Sequence, residues 1–209
     1  MVFMKFLKTK SKNKIFIVLG LLLLFGSLFL LINKYQNQKQ LNKVEEKAIE
    51  VFFEEKQEKE EPVETKKEET EEEVINYIAV LEIPKINLKR GLVSITDPLN
   101  NVNKNIQILD ETVFPNGDNK SHVILAGHSG TGRNAYFRNL HKLDMKDKIN
   151  FYYKNIKYTY EVSNIYEVKK TGEVNLRLTQ GSDLSLITCV SGTNNQVVYI
   201  ATLIEKEIY

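Results

Sequence analysis

Leu184-Ser-Leu-Ile-Thr-Cys189 carries the only cysteine in 209 residues, and its pattern decides how the chain folds. Leu184, Leu186 and Thr188 alternate with Ser185, Ile187 and Cys189, the period-2 spacing of a strand with at least one packed face. Gly181-Ser-Asp breaks the chain before it, and Ser191-Gly-Thr-Asn-Asn195 loops away after it. The thiol therefore stands where a rigid strand gives way to a loop, a frequent place for chemistry. A lone cysteine also has a plain reading, that of a small buried hydrophobe. A second stretch, His122-Val-Ile-Leu-Ala-Gly-His128-Ser-Gly130, shifts the balance, because another short apolar run delivers a histidine into a Gly/Ser turn. Cysteine and histidine about sixty residues apart meet only through tertiary structure, as a cysteine nucleophile and its histidine partner do.

Around these two stretches, residues 74–209 read as a series of short β-type segments. They are 77–83, ahead of Pro84, then 86–93, 106–109, 122–126, 149–153, 156–168, the cysteine strand and 196–205. Asp97-Pro98 predicts a short helical turn, and Phe114-Pro-Asn-Gly-Asp118 a loop. Residues 134–143 are the best helix candidate, since Ala135, Phe137, Leu140 and Leu143 are spaced for one face. Many strands with turns between them and at most two short helices predict a mostly β domain, a closed or nearly closed β-barrel.

Upstream the texture differs. Residues 1–14 carry Lys5, Lys8, Lys10, Lys12 and Lys14 and no acid. Residues 15–32, IFIVLGLLLLFGSLFLLI, hold no charge and as a helix span roughly 27 Å, about the apolar thickness of a bilayer. A cleavable signal peptide would be shorter and end in a small-x-small site; neither holds, so the run reads as an uncleaved transmembrane signal anchor. The positive-inside rule then keeps residues 1–14 cytoplasmic and puts the rest outside, a single-pass cell-membrane protein. Residues 33–73 are a Glu/Lys-rich spacer that cannot bury a core, with Val51, Phe52 and Phe53 as apolar exceptions. A net charge of only +2 gives no global field for nucleic acid. One cysteine in an exported chain makes no internal disulfide, so it is inert, intermolecular or a reactive thiol.

In its motifs the chain resembles the sortases, membrane-anchored cysteine transpeptidases of Gram-positive bacteria. The resemblance covers most of residues 77–205 and rests on Leu81-Glu-Ile-Pro84, Leu125-Ala-Gly-His128, Phe137-Arg-Asn-Leu140, the cysteine strand and the last apolar strand. Ser185 stands where the family's Thr-Leu-X-Thr-Cys motif has its first Thr. The order of anchor, spacer, barrel, histidine and cysteine agrees as well. The resemblance implies an eight-stranded barrel that cleaves the Thr–Gly bond of an LPXTG-like sorting signal on surface proteins. It implies Cys189 as the nucleophile that forms a thioacyl intermediate, and His128 as the acid that protonates the leaving amine and the base for the incoming one. The acceptor it implies is an amine of a peptidoglycan precursor. A thiol with an ordinary pKa of roughly 8.5 is already nucleophilic, and a nearby imidazole both lowers that value and carries the proton. No cofactor is expected.

One position departs from the family. Sortases open the last strand with an arginine, and here the best-fitting residue is Gln196, whose amide can donate to an oxyanion without the strength of a cation. Arg133, Arg138 or Arg177 could reach the site from another element, though surface solvation is the plainer reading of each. The alternatives to a transpeptidase are a degenerate domain that binds sorting signals with little turnover, and a plain thiol hydrolase. His122 reads as structural or exposed and His141 as a surface residue. No zinc spacing or EF-hand pattern occurs, and Asp110, Glu111 and Asp118 are only loop acids that calcium could use. The lack of a second apolar run and of an aromatic lid motif leans away from pilus-polymerising sortases and toward a protein-anchoring type.

Overall fold

A computed structural model describes residues 3–54, 75–116, 120–171, 174 and 181–209, with side chains from Phe16 onward. It divides into two units, Met1–Glu46 and Lys47–Tyr209. Helix α1, Phe3–Glu54, runs from the first into the second. In the first unit its apolar side chains are exposed, and it is long and apolar enough to cross a membrane.

The second unit is built on eight strands: β1 Ala79–Ile83, β2 Leu88–Leu92, β3 Gln107–Ile108, β4 His122–Ala126, β5 Lys148–Tyr153, β6 Ile156–Lys169, β7 Asp183–Cys189 and β8 Asn195–Ile208. They form one sheet in the order β2-β1-β5-β6-β8-β7-β4-β3, curled into a nearly closed barrel. Every pair is antiparallel except β4 with β7. Each predicted strand is present, within a few residues of its expected ends.

Period-2 alternation sorts the side chains onto two buried faces. Leu81, Val123, Leu125, Phe151, Leu184, Leu186, Tyr199 and Ala201 fill the barrel interior. On the outer face of β4, β7 and β8, Ile124, Ile187, Val198 and Ile200 form a second cluster, flanked by Leu109, Tyr166, Val168 and Val174. β7 is thus packed on both sides, and even its polar residues Asp183, Ser185 and Thr188 are buried.

The barrel's two open edges are tended by asparagines. Asn100 Oδ1 accepts from Ile108 N at 2.7 Å and its Nδ2 donates to Ile108 O at 2.9 Å, so one amide stands in for a missing neighbour of β3. Asn105, buried just before β3, reaches to β2, where its Nδ2 donates to Gly91 O at 3.0 Å and its Oδ1 accepts from Arg90 Nε at 2.7 Å.

Two findings depart from the sequence reading. Residues 134–143 are not an α-helix but a chain of turns ending in a short 3-10 helix, Leu140–Lys142. Ala135, Phe137, Leu140 and Leu143 are buried as their spacing predicts. Their backbone bonds, however, run over three residues, as in Arg138 N to Ala135 O and Leu140 N to Phe137 O. The Arg138 side chain also donates to Ala135 O and Gly132 O, which occupies carbonyls an α-helix would use. The second finding concerns residues 47–54, counted with the spacer in the sequence. They are the last turns of α1 and bury Ile49 and Phe52 against Tyr77, Val80 and Val93. Phe53 stands edge-on to Tyr152 and Tyr209. Most of the remaining spacer, like Asp118 and Arg177, lies outside the described residues.

Candidate active site

Cys189 is the last residue of β7 and is exposed. Its parity is that of Ile187, so it points to the outer face, beyond the apolar cluster and away from the barrel interior. Across the β7–β8 pair its partner is Gln196, which shares that face with Val198 and Ile200. A short turn joins the two strands, with Val190 N donating to Asn195 O at 2.9 Å and Gly192 at φ 75, a conformation that favours glycine.

His128 arrives from the other side of β7. β4 and β7 pair in parallel with Ala126 opposite Ile187, and Gly127 N donating to Ile187 O carries the ladder one residue further. His128 and Cys189 each lie two residues beyond the last paired position, so the two strands end abreast. Gly127 is needed for this approach, because a Cβ there would stand 2.9 Å from the Phe137 ring. Phe137 N in turn donates to His128 O at 3.0 Å and closes the loop over the site.

Further hydrogen bonds fix both ends. Thr188 Oγ1, buried, donates to Gly127 O at 2.7 Å, and Ser129 Oγ donates to Cys189 O, so each strand holds the other's final turn. His128 Nε2 is 3.0 Å from Asn103 Oδ1, on the loop between β2 and β3. Asn103, Ser129 and the structural use of Thr188 were missed in the sequence. The one signal of the loop's work was its composition, Asn100-Asn-Val-Asn-Lys-Asn105.

The other singled-out residues are elsewhere. Arg138 is held by carbonyls of its own loop, and Arg133 is exposed near it. Arg90, not singled out, lays its guanidinium 4.2 Å from the centre of the Tyr136 ring. The four arginines of the chain are residues 90, 133, 138 and 177, so none lies on β8. His122 is buried, with Nε2 2.8 Å from Ser185 Oγ. His141 is exposed and its Nδ1 donates to Arg138 O at 2.9 Å. Asp110 and Glu111 are exposed, and among the described residues no group of three or more His, Cys, Asp or Glu is arranged to hold a metal.

The arrangement thus offers a thiol, an imidazole and a carboxamide at the ends of three adjacent strands, beside a buried apolar cluster. These are the parts of an acyl transfer: a nucleophile, a proton carrier and a hydrogen-bond donor. Comparison with known proteins points the same way. A family model described as the sortase domain matches residues 81–204. A search among curated proteins finds no match. Among solved structures, sortase C1 of Streptococcus agalactiae is 27% identical with a TM-score of 0.54, over 62% of this chain and 68% of that one. The Clostridium perfringens sortase D5 transpeptidase is 24% identical with a TM-score of 0.54, over 78% of this chain and 98% of its own. Listeria monocytogenes sortase A is 20% identical with a TM-score of 0.52, over 64% of this chain and 90% of its own. At those two lower identities the likeness speaks to the fold alone.

Proposed function

The chain belongs to the sortase family, and from that premise we propose that it is a cysteine transpeptidase acting on an LPXTG-like sorting signal. The observation that carries this reading is that Cys189, His128 and Gln196 end three neighbouring strands on one side of the sheet. The Cys189 thiolate attacks the carbonyl carbon of the signal's Thr–Gly bond. The C–N bond breaks, and the amine leaves with a proton from the His128 imidazolium, which leaves a thioester on Cys189. A cell-wall amine, a peptidoglycan precursor, then attacks that thioester and gives its proton to His128. The C–S bond breaks and the thiolate is restored. Gln196 donates its amide N–H to the oxyanion formed at each addition.

In the same reading residues 15–32 anchor the protein, residues 1–14 stay in the cytoplasm, and the catalytic domain from residue 74 acts outside the cell. The docked end of α1 supports assigning residues 47–54 to that domain as well.

A second reading is favoured by Gln196 itself, a neutral group opposite the cysteine where the family uses a cation. In it the domain binds sorting signals and turns them over poorly. One experiment separates the two. The full chain in detergent micelles is incubated with an LPXTG-type peptide and an oligoglycine amine, and products are followed by mass. An amine-ligated peptide that disappears in Cys189→Ala establishes the transpeptidase. Peptide binding without an acyl-enzyme or product establishes the binding domain, and hydrolysis that added amine does not divert establishes a thiol hydrolase.

A further inference from the structure

The geometry points to Asn103 as a positioning residue that fixes the tautomer of His128, so that Nδ1 is the ring atom that carries the proton. This rests on the proposed acyl transfer and adds to it the atom through which the histidine works. Asn103 Oδ1 can only accept, so at 3.0 Å it selects the imidazole with hydrogen on Nε2. A neutral ring in that tautomer has its lone pair on Nδ1, and the imidazolium still donates Nε2–H to the same oxygen. The contact therefore persists through both protonation states, and only Nδ1 gains and loses the proton.

Asn103 is open to solvent, so water competes for this bond, but its backbone is fixed on both sides. Asn101 Oδ1 accepts from Asn103 N at 2.9 Å, and Asn134 Nδ2 donates to Asn103 O. Asn134 belongs to the loop that Phe137 N ties to His128 O, so the same loop holds both the ring's backbone and its partner. The loop carrying Asn103 is itself secured by Asn100 and Asn105 to β3 and β2. A partner held this firmly loses little entropy on bonding, which lets an exposed amide orient a ring.

The test uses the full chain in micelles with ¹⁵N-labelled histidine. Two-bond ¹H–¹⁵N correlations report which nitrogen of each ring bears the hydrogen, without any substrate. His128 of the unmodified protein and of Asn103→Asp, which keeps an acceptor, should show Nε2–H. Asn103→Ala should show a mixture of both tautomers, while the His122 and His141 signals stay in place and report an intact fold. In the peptide-transfer assay Asn103→Ala should be slower by about 10–100-fold, a share of what a general acid–base provides, and Asn103→Asp should recover most of it. A His128 ring carrying Nδ1–H in the unmodified protein overturns the inference, as does Asn103→Ala with unchanged tautomer. If the unmodified protein transfers no peptide, it is the transpeptidase reading that fails, and the tautomer measurement still decides the role of Asn103.

Discussion

Gln196 meets Cys189 in register across β7 and β8, a neutral amide where the resemblance to the sortases leads one to expect an arginine. An amide donates a hydrogen bond about half as strong as a cation's, so Gln196→Arg should raise the rate of acyl-enzyme formation, by roughly tenfold. Gln196→Ala should lower it by up to about 10². Both are read by stopped assays of the thioacyl adduct. A different histidine governs stability. Burial holds His122 below its ordinary value of 6.5, with Asp183 pulling weakly the other way. The folded protein therefore favours the neutral ring more than the unfolded chain does. Stability is full above 6.5, falls as the pH drops below it, and levels off once the folded ring is also protonated. Urea midpoints should show this decline, and His122→Gln should remove it. At this scale the thiol was legible as the one cysteine of the chain, and His128 as the histidine that an apolar run carries into a Gly/Ser turn. The sequence hid Asn103, because one asparagine in an asparagine-rich loop has no local mark of what its side chain meets.

The strands were legible because each shows alternation or an apolar run bounded by turns. Residues 134–143 were misread for a physical reason: apolar residues at helical spacing are also buried by successive three-residue turns, and only Arg138 and His128 show which backbone bonds form. The end of α1 was half legible, as Phe52 and Phe53 stood out from the charged run without showing where they pack. Phe52 is 4% exposed, and Phe52→Ala should destabilise residues 47–209 by about 3 kcal/mol, seen as a lower urea midpoint. A buried amide, Asn105, ties the start of β3 to β2. Asn105→Ala strips Gly91 O of its donor and Arg90 Nε of its acceptor, and should cost about 1–3 kcal/mol. Faster amide hydrogen exchange in β2 and β3 than in β6 and β8 would accompany it.

For the whole molecule, the single thiol is a built-in reporter of topology. With the full chain in intact cells, a membrane-impermeant maleimide should label Cys189 directly. Labelling that required permeabilised cells would put the domain on the cytoplasmic side and remove the proposed role at the wall. The parity of β7 bears on how such a protein can change over generations. One residue inserted between Leu184 and Cys189 would turn the thiol into the barrel interior and silence it in a single step. Residues added between Val190 and Asn194 would leave Cys189 and Gln196 facing each other, because their pairing is made by the strands and not by the turn. That turn is where lineages can lengthen, shorten or trade sequence freely without rebuilding the strand ends beneath.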